Sequence, residues 1–259
     1  MILLTQLLTH NDCYRAGRTI TPKGVMVHST GANNPNLCRY VPGNDVIGRN
    51  TGDNHWDMPG VGACVHAFVG KLADGSVGVV QTLPWNWRGW HCGKGKKGSG
   101  NDTHISFEIC EDDLTDRTYF QQVYQAAVEL TAQLCCAYGL DPTKGGVVIC
   151  HCEGHERGIA SNHADVMHWF PKFGKSMDTF RADVARAMEG GEDLTEEQVR
   201  TIVRDEYAKI QAQQAALPVS DWAEELLAEA VAMGITDGTR PQAPATRQEV
   251  ALMVRAGNV

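Results

Sequence analysis

Apolar residues gather along the first three quarters of the chain in short strand-length runs: GVMVHS (24–29), ACVHAFVG (63–70), SVGVVQTL (76–83), THISFEIC (103–110) and GVVICH (146–151). Such runs, bounded by glycine, proline and polar clusters, predict strands. Between the last two, residues 116–140 carry Phe120, Val123, Ala127, Leu130 and Leu134 at intervals of three and four, which predicts a helix covering one sheet face. A second amphipathic helix is predicted over 176–188. The alternation implies an α/β or α+β sheet with helices packed on it.

The pattern changes after residue 188. Glu-Gly-Gly-Glu-Asp within 189–194 reads as a hinge, and Thr195 with Gln198 as a capping box opening a polar helix, a linker over 195–215. Residues 216–259 then predict a helical hairpin: one helix, a glycine turn at 234–238, prolines, and a last helix capped by Thr246 with Glu249. A hairpin of that size cannot bury a core alone, so it is expected to pack on a neighbour, another copy or a ligand.

Composition narrows the function classes. The 259 residues suit one large domain with an appendage, and no apolar run is long enough to predict a membrane span. The opening MILLTQLLTH lacks the positive charge and cleavage site of a signal peptide. Net charge is −8, which argues against nucleic acid as a partner. Residues 192–259 hold 12 acidic against 6 basic residues, −6, leaving −2 for the rest. Nine cysteines without a CxxC pair read as reduced, mostly buried thiols.

The period of two along a strand sorts the candidate chemistry. In THISFEIC, Ile105, Phe107 and Ile109 share one face and His104, Ser106 and Glu108 the other. His28 lies opposite Val25 and Val27, and His66 opposite Val65 and Val69. A sheet face bearing His28, His66 and Glu108, followed by a histidine-rich loop after the fifth strand, has the makings of a cleft. A hydrolytic zinc site needs three protein ligands, an open position and a nearby carboxylate base. Other motifs fail: neither HCEGH nor His155-Glu156 forms HExxH, GKGKKGSG (93–100) is no phosphate loop but a basic rim loop, and GxSxG is absent.

Together GVMVHST, RGWHCG, THISFEICE and HCEGHERGIASNHADVMHWFP resemble the zinc-dependent N-acetylmuramoyl-L-alanine amidases of the type-2 family, whose fold is shared with phage amidase lysozymes and peptidoglycan-recognition proteins. The resemblance spans about residues 10–188 and is strongest to phage and prophage endolysins. It implies a central mixed β-sheet flanked by helices over residues 1–188, followed by a small all-α C-terminal region. It places zinc on His28, His151 and Asp165 and makes Glu108 the catalytic base. It puts His163 where the family often has an oxyanion-stabilising lysine, and Trp90 and His91 beside the cleft as substrate contacts or supports. His66 joins them as a substrate contact from its sheet face. Trp85, Trp87 and Trp169 are candidates for sugar stacking, with buried packing the alternative. His155 and His168 read as supporting or surface groups.

The tail, through WAEELLAEAVAMGITDG and TRQEVALMVR, resembles a single S-layer homology unit. That implies either a cell-wall polymer as its partner or a homo-oligomer. The whole reading is a peptidoglycan hydrolase made in the host cytoplasm and acting at the wall after release, with no membrane insertion. Two other readings stand beside it: a non-catalytic peptidoglycan-binding module, and a cysteine-dependent amidase or peptidase using Cys92 or Cys152.

Overall fold

The computed structural model describes residues 1–190 and 196–256. The chain divides into two compact units, Met1–Gly191 and Glu192–Val259.

The first unit runs β1 (Ile2–Thr5), α1 (Asp12–Ala16), β2 (Gly24–Asn33), β3 (Gly43–Asn44), β4 (Gly48–Arg49), β5 (Ala67–Lys71), β6 (Val77–Gln81), β7 (His104–Glu111), α2 (Arg117–Tyr138), β8 (Val148–Cys150), α3 (His151–Glu156) and α4 (Met177–Glu189). Six strands form one mixed sheet in the order β1-β6-β5-β7-β2-β8, with β5 and β6 antiparallel and the other neighbours parallel. This is the expected mixed sheet flanked by helices. All five strand predictions correspond to strands. The sequence reading missed β1, α1, α3 and the small β3–β4 hairpin.

One sheet face is the main core. Val25, Val27, Ala67, Val69, Val79, Ile105, Phe107 and Ile109 are buried against Phe120, Val123, Ala127, Leu130 and Leu134 of α2 and Phe180 and Val184 of α4. Asp116 caps α2 by accepting from Thr118 and Tyr119 N–H, and Gly139 ends it at φ 63°. The other face carries two smaller apolar clusters. Phe68 and Val80 pack with Leu8, Leu37, Val41 and Ile47, while Met26 and Ile149 pack with Cys92 and Ala160.

Between those clusters runs a polar row. His28 stands opposite Glu108 on β7, and Phe68 opposite Glu108 from β5. Val27 pairs with Cys150, so the next residue on each side brings His28 level with His151. The row lies toward the carboxyl ends of parallel strands, where ligands of open α/β sheets bind.

The second unit contains α5 (Glu196–Ala216), α6 (Glu224–Ala232) and α7 (Arg247–Ala256), the small all-α region expected. Thr246 and Glu249 form the predicted capping box. Of the expected hinge, Glu189 ends α4 and Gly190 caps it. Residues 191–194 lie outside the described residues, as does the capping box expected of Thr195 with Gln198.

Candidate metal centre

His28 is positioned by β2, whose flanking Val25 and Val27 are locked in the core, so its side chain projects from the opposite face. His151 opens α3, with Cys150 the last strand residue and N-cap. Glu153 Oε2 accepts the Cys150 N–H at 3.2 Å and is itself paired with Arg181. The histidine-rich loop expected after the fifth strand therefore begins as a helical turn. Beyond it the chain returns, and His151 N–H donates to the Asp165 carbonyl at 3.1 Å. Val166, Trp169 and Phe170, all in the main core, anchor that return and hold Asp165 over the sheet.

Three ligand-type atoms converge. His28 Nδ1 is 2.9 Å from Asp165 Oδ2 and 3.1 Å from His151 Nδ1, and His151 Nδ1 is 3.6 Å from the same carboxylate oxygen. Ligand atoms of a tetrahedral zinc site with ~2.0 Å bonds stand about 3.3 Å apart, so this spacing fits a single ion. Among the described residues this is the one such His/Cys/Asp/Glu group. The protonation states fit as well. Burial lowers the His28 pKa, against the pull of Asp165. Burial works to raise Asp165, yet hydrogen bonds from His151 and His28 hold it well below the usual carboxylate range. Neutral imidazole and ionised carboxylate are the forms that bind a metal.

These atoms face a cleft of about 570 Å³ whose walls include Ser29, Trp90, His91, Glu108, His163 and His168. Three of the five buried side-chain polar atoms without a hydrogen-bond partner, among the described residues, belong to it: Ser29 Oγ, His91 Nε2 and Glu108 Oε2. Buried polar atoms are rarely left unpaired, so such a concentration marks a place built to receive polar groups. Burial raises the Glu108 pKa well above its ordinary value, and the charges of Asp165 and Glu111 add to the shift. The exposed His163 brings its ring within 4.7 Å of the His151 ring centroid. Trp90 is 38% exposed at the cleft, with the Arg88 guanidinium 5.3 Å from its ring centre.

The structure brings His28, Glu108, His151, His163, Asp165, Trp90 and His91 to one cleft. It does not bring His66 there. His66 lies on the predicted face but two residues before Phe68. It is fully buried, donates from Nε2 to the Trp87 carbonyl at 2.7 Å and accepts the Ser106 N–H at Nδ1. A substrate contact for His66 is therefore corrected to a core histidine, whose pKa burial lowers to about 4. Trp169 is buried in the core, and neither Trp85 nor Trp87 lines the cleft. His155 is exposed, with Nδ1 3.3 Å from the Ala160 carbonyl.

Neither thiol considered as a nucleophile is poised for it. Cys92 donates toward the Gly93 and Ile159 carbonyls, and burial pushes its pKa up to about 11. Cys152 sits in the helical turn of α3 with its Sγ 3.2 Å from that of Cys150. No thiol–imidazole hydrogen bond forms among the described residues, and all nine cysteines are free.

The sequence reading missed two cleft groups, Ser29 and Ser161, and the partner of His168, which lines the cleft and pairs with Glu111 at 2.9 Å. Glu111 also accepts the Gly31 N–H. Ser29 stands next to His28 in the motif, but hydroxyls are too common for position alone to single it out. The partners of His168 and Ser161 come from distant strands and loops, with no local signal.

A mixed sheet ending in three convergent ligand atoms beside an unpaired carboxylate has the parts a metal-assisted hydrolase requires. The N-acetylmuramoyl-L-alanine amidase family (Amidase_2) matches residues 18–169, more than half of the chain, and the chain belongs to that family of peptidoglycan hydrolases. Among solved structures, the Staphylococcus aureus hydrolase AmiA in complex with its ligand is similar over 73% of this chain and 83% of that one, at 20% identity and a TM-score of 0.53, a likeness of fold. PlyL (23% identity, 71% of this chain and 97% of that one, TM-score 0.49) and a mutant endolysin from Bacillus subtilis (23%, 71% and 99%, 0.49) are similar too. No curated protein matches the chain.

Proposed function

We propose that this protein hydrolyses the amide between N-acetylmuramic acid and L-alanine in peptidoglycan, with Zn²⁺ held by His28, His151 and Asp165. The observation that carries the reading is the convergence of His28 Nδ1, His151 Nδ1 and Asp165 Oδ2 beside the unpartnered Glu108 Oε2. When bound, zinc polarises the scissile carbonyl and makes water a nucleophile near neutral pH. Glu108 accepts the proton of the attacking water and delivers it to the leaving L-alanine amine. His163 donates a hydrogen bond to the oxyanion of the tetrahedral intermediate, the task the family often gives to lysine. Trp90, with Arg88 over its ring, offers an apolar and cationic wall for the glycan or the stem peptide.

We read residues 1–188 as the catalytic domain, 189–194 as a hinge, 195–215 as a helical linker and 216–259 as an S-layer homology-like docking hairpin. The hairpin holds the enzyme at the wall, either through a wall polymer or by gathering copies of the chain. The setting is that of a phage or prophage endolysin, which reaches peptidoglycan once released from the host cytoplasm.

The test is digestion of purified Gram-positive walls with and without chelator and added zinc, identifying the ends released. New L-alanine amino termini that vanish with chelator and return with zinc are expected. Cleavage that resists chelator but stops with a thiol alkylator would sink the zinc assignment in favour of a cysteine enzyme. Binding with no cleavage under any condition would leave a peptidoglycan-binding module.

A further inference from the structure

Both histidines of the centre present Nδ1 to it, so Nε2 of each faces outward into the protein. A metal on Nδ1 leaves Nε2 as an N–H, which is then a donor needing an acceptor. His28 Nε2 is 2.9 Å from His91 Nδ1, and His151 Nε2 is 3.3 Å from Ser161 Oγ. Ser161 Oγ can accept because it turns its own hydrogen to the Cys92 carbonyl at 3.2 Å, and its backbone N–H donates to that same carbonyl at 2.8 Å. The two supports thus arise from different parts of the chain yet meet in one segment, residues 91–93.

That segment is pinned by a fully buried side chain. Asn101 Oδ1 accepts the N–H groups of His91 at 2.7 Å and Cys92 at 3.2 Å, while its Nδ2 donates to the Gly93 carbonyl at 2.9 Å. Backbone N–H groups can only donate and a carbonyl can only accept, so an asparagine amide matches both edges, where aspartate or leucine would not. Asn101 sits in the 3-10 turn Gly100–Asp102, at the far end of the glycine- and lysine-rich stretch. This gives that stretch a structural purpose that no phosphate-loop reading supplied: it returns the chain so that Asn101 meets residues 91–93.

We infer that His91 and Ser161 are positioning residues, which hold His28 and His151 in the Nδ1-coordinating tautomer, and that Asn101 staples the segment that aligns them. The inference rests on the zinc reading above. Of the two roles open to His91, substrate contact or support, it assigns support and names the ligand supported, His28. Partners of this kind fix ring orientation and raise ligand basicity, and their loss weakens metal binding by about 10- to 100-fold.

The test measures zinc affinity by competition with a chromogenic chelator, together with the visible spectrum of the cobalt-substituted protein. His91→Leu and Ser161→Ala are each expected to weaken zinc by about 10- to 100-fold and to alter the cobalt bands. His91→Asn, which keeps an acceptor at the δ position, and Ser161→Thr should recover most of that loss. Asn101→Leu should perturb both supports together. Independently of any variant, imidazole NMR of the zinc-loaded wild type should find His28 protonated at Nε2 and His91 unprotonated at Nδ1. His91 carrying its proton at Nδ1, or folded His91→Leu and Ser161→Ala proteins that bind zinc as tightly as the wild type, would overturn the inference while leaving the zinc centre standing. A wild type that binds no zinc, as His28→Ala is expected not to, would remove both.

Discussion

Both units of the chain are rich in amphipathic helix, yet they use it in opposite ways. In the first, α2 and α4 press their apolar stripes onto the sheet, and Phe107, Phe120, Trp169 and Phe180 are almost wholly buried. In the second, none of the described side chains is buried: Trp222 is 81% exposed, and Leu226, Met233 and Leu252 are exposed with it. Helical period decides which residues share a stripe, but a stripe is buried where enough other apolar surface faces it. A six-stranded sheet supplies that surface, and α5, α6 and α7, with no sheet in their unit, do not. The first unit can therefore hold ionisable groups away from water in fixed geometry, whereas the second offers apolar surface suited to a partner.

The largest effect expected of this contrast lies in the cleft. Glu108→Gln should lower the rate of amide cleavage by about 10²- to 10⁴-fold, the range for loss of a general base, while zinc binding is kept. Removing residues 196–259 should leave turnover of soluble muramyl peptides unchanged. Full activity in the Glu108→Gln protein would break the assignment of chemistry to this face.

Core truncation comes next. Phe107→Ala, beneath α2, should cost about 3–5 kcal/mol in urea unfolding of the first unit. A loss below about 1 kcal/mol would mean the sheet is less tightly packed than its burial implies.

Acid should destabilise the first unit by a similar but smaller amount. His66 has a pKa of about 4 against the ordinary 6.5, so the unfolded chain takes up a proton first as pH falls. Its stabilising contribution is complete above pH ~6.5 and is lost as pH falls towards ~4, by about 3 kcal/mol in all. His104, whose pKa burial also lowers, adds to the slope. Urea midpoints from pH 7 to 4 should flatten in His66→Gln, and an unchanged slope would refute the role given to this histidine. Smallest of all, Leu226→Ala and Leu252→Ala should alter unfolding by less than about 0.5 kcal/mol, the range of exposed positions. A cost of core size would reveal that the tail helices are buried in solution, as they would be between copies.

Much of this was legible in the chain. Periods of two and near 3.6 located five strands and the two helices that cover them, and placed His28 and Glu108 on one face opposite the valines and isoleucines. Short elements escaped. Ile2–Thr5 pairs with the distant Val77–Gln81, and α3 is a six-residue helix with a glycine inside it, so neither carries a readable period. The motif resemblance, rather than any spacing rule, pointed to Asp165 and His163.

Alternation determines which way a strand side chain points, because it follows from backbone geometry at each residue. What covers that side chain depends on segments far along the sequence, which the tertiary structure alone decides. His28 and His66 share a face and a residue type. One meets His151 and Asp165, 123 and 137 positions away, and becomes part of a centre; the other is sealed beneath the Trp87 carbonyl.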